Sequence, residues 1–197
     1  GFYTINPRLC IHCLYHEIEV GAMKQRSILW QAAGFALVTF GGTILHFLYD
    51  RTGESILVSP FSGVNESTWE HMKLLFFPMF VYGLIQYRYF HDRKDFWCVK
   101  LLGMAAGLTA IPVLFYTYNG VFGKSPDWIN IAIFFVAAAA AYLLENRLYV
   151  KQSIRCGRPK LAFVTLCLIG LCFIVFTFVP PQIPLFEDPL TGNFGIQ

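Results

Sequence analysis

Five apolar stretches constrain this chain more than any other feature of its sequence. Each is close to the roughly 20 residues that an α-helix needs to cross the hydrocarbon core of a bilayer. Unpaired backbone groups are costly in lipid, so the segments that cross it are helices or closed barrels, and stretches of this length favour helices. The sequence therefore predicts an all-α integral membrane bundle of five transmembrane helices. The expected spans are residues 28–49, 72–90, 98–118, 128–146 and 161–181.

Basic residues are divided unequally between the two sets of predicted loops. Of the 15 Lys and Arg residues, one set of loops contains only Arg51, Lys73 and Lys124. The positive-inside rule assigns the richer set to the cytoplasm, which places the N-terminus inside and the C-terminus outside. The residues of the richer set are Arg8, Lys24, Arg26, Arg88, Arg93, Lys94, Lys100, Arg147, Lys151, Arg155, Arg158 and Lys160.

The net charge of +3 follows from this asymmetry and does not indicate nucleic-acid binding. No soluble face interleaves basic residues with stacking aromatic residues, as a nucleic-acid-binding surface does. The expected partner is the lipid bilayer. Small residues that let helices approach closely occur in three spans, which predicts a compact helix bundle or a homodimer. They are Gly34, Gly41, Gly42, Gly103, Gly107 and the alanines of 137–141.

Three segments are predicted along the chain. Residues 1–22 are interpreted as a non-native or disordered extension, because Met23 precedes a short basic stretch and the first span, as in a cytoplasmic N-terminus. Residues 23–181 form the transmembrane domain. Residues 182–197 form an extracytoplasmic lid or tail, because four prolines between 180 and 189 stop the last helix.

The cysteines predict no disulfide framework. Four lie on the inner side or within the last span, where thiols are reduced or buried: Cys98, Cys156, Cys167 and Cys172. Near the N-terminus, Cys10, His12, Cys13 and His16 form only half of a closed zinc site.

A cluster of polar residues at the outer ends of the first two spans is the candidate functional site. His46 and Asp50 are four residues apart and share a helix face, and His71 lies at the start of the second span. Imidazole and carboxylate groups suit zinc, so these three residues are the predicted metal ligands. Glu70 or Glu66 would act as general base. Asn65, Ser67, Lys73 and Asp188 complete the predicted cluster.

Two functions are compatible with this cluster. One is metal-dependent hydrolysis of a lipid or lipid-linked substrate. The other is non-enzymatic: a solute or proton pathway, or small-ligand binding, with Ser67 and Glu70 serving as a helix-capping box and Lys73 snorkelling or pairing with Glu70. Conduction would need polar groups across the membrane, and the predicted mid-membrane positions offer few beyond Thr39, Thr43, Thr109 and Thr165. Glu145 and Asn146 are interpreted as interfacial residues.

The motifs V-N-E-S-T-W-E-H-M-K at 64–73 and I-P-L-F-E-D-P-L-T-G at 183–192 resemble a family of uncharacterised multi-pass bacterial membrane proteins, common in Firmicutes. This resemblance implies a location in the bacterial cytoplasmic membrane but no activity. A weaker likeness is to the alkaline ceramidase and progestin-receptor-like superfamily, whose members set His, Asp and Ser around zinc at helix ends. That superfamily has seven spans and a late paired-His motif, which this chain lacks.

Overall fold

The chain folds into five α-helices, which confirms the predicted all-α class. The structure, a computed structural model, describes residues 7–151 and 154–196, and at residues 7–20, 22–24 and 127 it describes the backbone only. Within that part of the chain there is no β-strand beyond an isolated bridge between Glu187 and Phe194. The helices are α1 (Pro7–Arg51), α2 (Thr68–Phe90), α3 (Phe96–Phe122), α4 (Asp127–Lys151) and α5 (Pro159–Phe178).

Four of these helices are long and apolar enough to cross a membrane. The segments that qualify are Gln25–Arg51, Phe96–Phe122, Trp128–Lys151 and Pro159–Phe178. The remaining helix, α2, was also predicted to span, but it carries Glu70, Lys73, Gln86 and Arg88 and is not among the four. The length and composition of these four helices are those of a membrane protein. That α2 also spans the membrane stays a prediction.

The helix that is not among these four lies at the centre of the bundle. Helix α2 contacts all four of the others, whereas α1 also packs on α4, and α3 packs on α4 and α5. Its Leu75, Phe76 and Met79 are buried together with Glu70 and Lys73. Because the surrounding helices cover these groups, their polar atoms are paired within protein instead of facing lipid.

The small residues of the spans are used for packing inside the chain. A Cβ atom added at Gly42 would lie 2.5 Å from Cζ of Phe134, and one at Gly107 would lie 3.1 Å from Cβ of Ala141. Gly34 is likewise covered by Tyr82 and Tyr142. These faces are therefore occupied by neighbouring helices, and a homodimer stays a prediction that would need another surface.

The ends of the bundle differ in character. At the end that we call the tail end, the start of α2, the end of α5 and residues 179–196 meet. At the opposite end, called the basic end, residues 93–95 lie near residues 154–157. Helix α1 begins at Pro7, and residues 1–6 are outside the described part, so the interpretation of 1–22 as an extension stays a prediction. The side chains of Cys10, His12, Cys13 and His16 are likewise outside the described residues.

The expectation of unpaired cysteines is wrong for one pair at the basic end. Cys98 and Cys156 form a disulfide, with Cα atoms 6.1 Å apart. The segment that follows α4 returns to the start of α3, which brings the two residues within bridging distance. This proximity is not evident from the sequence, because the two cysteines are 58 positions apart. Cys167 and Cys172 are free, as predicted.

Candidate metal centre

Three side chains converge at the tail end of the bundle. His46 lies near the end of α1, Glu66 lies in the loop before α2, and His71 lies in the first turns of α2. Nε2 of His46 is 3.6 Å from Oε1 of Glu66, and Nε2 of His71 is 3.6 Å from Oε2 of the same carboxylate. One ligand atom from each residue lies within 4.8 Å of the other two. The sequence predicted that both histidines would meet here.

The distances in this cluster fit a shared cation better than direct hydrogen bonds. A separation of 3.6 Å between nitrogen and oxygen is longer than a normal N–H···O bond. By contrast, two ligands about 2.0–2.2 Å from a tetrahedral zinc ion lie roughly 3.3 Å from each other. Small side-chain movements would thus place all three ligand atoms around one ion.

The orientation of both imidazole rings is supported by neighbouring groups. Nδ1 of His71 lies 3.0 Å from the carbonyl oxygen of Ser67, and since a carbonyl only accepts, Nδ1–H is the donor. This bond leaves Nε2, the atom facing Glu66, free to act as a ligand, which is the usual arrangement of metal-binding histidines. The ring of His46 stacks on Phe47, with centroids 4.9 Å apart. The side chains of His46 and Glu66 are 32% and 37% exposed, so the centre is open to an incoming ion or ligand.

Helix capping explains the neighbouring polar residues but not these three. Ser67 caps α2, with its hydroxyl accepting the N–H of Glu70 at 3.4 Å, and Asn65 accepts the N–H of Ser67 at 2.9 Å. Glu70 does not reach back to Ser67 as in a full capping box, because its carboxylate accepts the N–H of Val64 instead. The predicted cap is thus confirmed at Ser67, and neither His46 nor Glu66 takes part in it.

Lys73 connects three parts of the tail end. Its ammonium group lies 2.6 Å from the Glu70 carboxylate and donates to the Ser59 carbonyl and the Thr177 hydroxyl, both at 2.9 Å. The loop after α1, helix α2 and helix α5 are thereby joined at one fully buried nitrogen. Of the two alternatives predicted for Lys73, snorkelling and pairing with Glu70, the structure has the pair, which engages one of the two carboxylates predicted as general base.

Two predicted members of the cluster lie elsewhere. Asp50, a predicted ligand, is exposed at the end of α1 and is not among the converging residues. Asp188 is buried and shapes the tail, since its carboxylate accepts the N–H of Leu190 at 2.9 Å and the hydroxyl of Thr191 at 2.8 Å. The residue that completes the cluster is therefore Glu66.

The tail packs beside this centre. The backbone N–H of Trp69 donates to the carbonyl of Leu185 at 3.0 Å, and the side chain of Asn65 donates to the carbonyl of Gly195 at 3.1 Å. The Trp69 ring lies 4.5 Å from that of Phe186, between centroids. Residues on either side of Glu66 are thus held by the tail, which positions the carboxylate between the two histidines.

The structure also contains a buried charged pair that the sequence interpretation missed. Nζ of Lys100 lies 2.6 Å from Oε2 of Glu145, and both side chains are fully buried between α3 and α4. The interfacial interpretation is therefore wrong for Glu145. Asn146 is also engaged, since it accepts the hydroxyl of Ser27 at 3.0 Å. Opposite charges within neighbouring spans, near the same end, were the available signal.

Comparison with known proteins identifies the family but not an activity. No curated protein and no solved structure matches the chain. A family profile described as "Family of unknown function (DUF6512)" matches residues 21–196, which is most of the chain. The predicted membership of an uncharacterised family is thus confirmed, and the chain belongs to this family of unknown function.

Proposed function

We propose that the protein is a multi-pass membrane protein that binds zinc through His46, Glu66 and His71. The observation that carries this proposal is the convergence of three ligand atoms within 4.8 Å, drawn from α1, a loop and α2. The cap and the Lys73 pair account for the other polar residues nearby. Capping and pairing do not account for the approach of these three side chains to one another.

The type of ligands favours zinc over harder cations. Two imidazole nitrogens and one carboxylate oxygen are a ligand set found in catalytic zinc sites, whereas calcium and magnesium prefer oxygen ligands. Zinc held by three protein ligands has a fourth position for water and lowers the pKa of that water to about 7. This chemistry would serve hydrolysis of a lipid or lipid-linked substrate at the membrane surface.

A second candidate function is non-enzymatic metal or small-ligand binding. It is favoured by the state of Glu70, whose carboxylate is held by Lys73 at 2.6 Å and by the N–H of Val64 at 3.1 Å. With Glu66 as a ligand, neither predicted base is free to accept a proton from water. The proposed metal binding therefore does not depend on catalysis, whereas the proposed hydrolysis depends on metal binding.

We further propose that α2 is the fifth span and that the tail end faces outward from a bacterial cytoplasmic membrane. Lys100 and Lys73 are buried in the bundle, so neither counts as a loop charge. Eleven basic residues then remain at the proposed inner side and two at the outer side, which favours this orientation. The Cys98–Cys156 disulfide favours the opposite orientation, with the basic end outside the cytosol, because disulfides are rare in the cytosol. The proposed orientation follows the charges, since eleven basic residues act together.

Zinc content separates a metal site from a chance cluster. Purified protein incubated with zinc and then dialysed should retain about one zinc ion per chain, measured by elemental analysis. His46→Ala, His71→Ala and Glu66→Gln should each lose most of it, since each removes one of three ligands. Asp50→Ala should retain it, which distinguishes the observed cluster from the predicted one.

The matched control is His91→Ala. His91 also faces a carboxylate, with Nε2 3.2 Å from Oδ1 of Asp92, but both side chains are largely exposed and no third ligand from the described residues converges there. This variant should bind zinc like the wild type. The proposal would be contradicted if the three ligand variants kept their helical content and had the same zinc content per chain as the wild type.

A further inference from the structure

The bundle contains two buried Lys–Glu pairs that differ in how well their hydrogen bonds are satisfied. Lys73 has three acceptors for its three N–H groups: Glu70, the Ser59 carbonyl and the Thr177 hydroxyl. Lys100 is equally buried, but among the described residues its hydrogen-bond acceptor is Glu145 alone. The first pair is therefore a complete structural link, and the second is incomplete.

Further polar atoms without a partner surround the incomplete pair. Oε1 of Glu145 and the hydroxyls of Tyr142 and Tyr149 are buried without a hydrogen bond in the described residues. Tyr142 lies three residues before Glu145 on α4 and Tyr149 lies four residues after it, so the two tyrosines and Glu145 share one face of that helix. Oε1 of Gln86 is also buried without a hydrogen bond in the described residues, and Gln86 lies one turn after Gly83 on α2, where an added Cβ atom would be 3.9 Å from Cε of Lys100. Nζ of Lys100 lies 5.6 Å from the centroid of the Tyr142 ring.

Water is the molecule that would satisfy this set of groups. Lys100 has N–H groups that are not yet paired, and Glu145 and Gln86 have unpaired acceptor oxygens. The tyrosine hydroxyls can both donate and accept a hydrogen bond. A ligand must therefore donate and accept within a small space. Buried unpaired polar atoms in native proteins usually mark bound water, because leaving them unpaired is costly.

Tyr149 and Arg93 lie between this site and the surface of the basic end. The guanidinium of Arg93 lies 4.8 Å from the centroid of the Tyr149 ring and donates to the Tyr149 carbonyl at 3.3 Å. Arg93 also pairs with Asp95 at 2.9 Å, and both residues line a surface crevice. In the opposite direction the core is apolar, with Leu75, Phe76, Met104, Leu166 and Phe173 buried between the two pairs.

We propose that Lys100 and Glu145 form a hydrated proton-exchange site that opens to the basic end. Hydronium at that end would transfer a proton to the Glu145 carboxylate and become water, while Lys100 keeps its ammonium proton, and the reverse step would return the proton to water. The titratable and charged groups that face the pair are Tyr82 on α2, Tyr142 and Tyr149 on α4, and Arg93 with Asp95 beyond Tyr149. This site is separate from the proposed zinc centre, at the opposite end of the bundle.

Infrared difference spectroscopy of the protein in lipid nanodiscs tests the proposal. On acidification, the wild type should gain a protonated-carboxyl band that shifts when H2O is exchanged for D2O and that is missing in Glu145→Gln. Because this variant leaves Lys100 buried without its partner, the double variant Lys100→Met/Glu145→Met is measured as well. Replacing both members of a buried pair with apolar residues is often neutral for stability, so the double variant should fold and should also lack the band. A band that is unchanged in both folded variants, or absent from the wild type, would overturn the proposal.

The route is tested with a matched pair of tyrosines. Tyr149→Phe should slow deuterium exchange of the Glu145 band severalfold, whereas Tyr49→Phe should leave it unchanged. Both tyrosines are 5% exposed, but Tyr49 lies near the end of α1, at the tail end. Equal exchange rates in Tyr149→Phe and the wild type would refute a path through Tyr149.

Discussion

Replacement of Lys73 by Met tests whether the buried ion pair holds the tail end together. Lys73 and Glu70 are 0% and 3% exposed, so solvent does little to screen the charge that the substitution would leave behind. Removing one partner of a buried pair typically costs about 3–5 kcal/mol. We therefore expect Lys73→Met to lower the free energy of unfolding by about that amount, because the Glu70 carboxylate loses its counter-charge.

The double variant Glu70→Met/Lys73→Met should be less destabilised than the single variant. Removing both charges eliminates the uncompensated carboxylate, and the remaining loss is the acceptor of the Val64 N–H and the donor to the Ser59 carbonyl. Leaving such buried groups unpaired costs about 1–3 kcal/mol. The expected order of stability is thus wild type, double variant, single variant.

Reversible denaturant unfolding in detergent micelles, followed by tryptophan fluorescence, measures these differences. Lys124→Met is the control, because Lys124 is an exposed lysine at the same end and its loss should change stability by no more than about 0.5 kcal/mol. If the double variant loses as much stability as Lys73→Met and Glu70→Met combined, the two side chains act independently, and the interpretation of Lys73 as a central link is wrong.

Two further predictions concern the tail and the orientation of the chain. Gly195 and Gly192 both have positive φ, 67° and 74°, but only at Gly195 would a Cβ atom meet a neighbour, Cγ of Pro180 at 2.8 Å. Gly195→Ala should therefore expose the tail to limited proteolysis more than Gly192→Ala does, and equal cleavage would show that this contact does not hold the tail. For orientation, alkaline phosphatase fused after residue 197 should be active outside the cytoplasm, whereas activity of only a cytoplasmic reporter there would reverse the proposed sides.

Local patterns in the sequence were sufficient for the helices and for the cap of α2. Apolar length predicts a membrane helix because the backbone must be satisfied within each segment, and this requirement depends on neighbouring residues only. The same holds for Ser67, which caps the helix that follows it directly. Both histidines were also predictable as members of a site, since ionisable groups near helix ends in a membrane usually have partners.

The tertiary structure decided which polar groups meet. His46 and Asp50 share a helix face by their spacing, yet the carboxylate that approaches both histidines is that of Glu66, from the loop. Lys100 and Glu145 are 45 residues apart, and their pairing depends on how α3 and α4 are rotated against each other. The sequence by itself determined the helices and their apolar character, because hydrogen bonding and hydrophobicity act locally. The rotation and contacts of the helices come from packing between distant residues, and this packing created the cluster of His46, Glu66 and His71, the buried pairs and the disulfide.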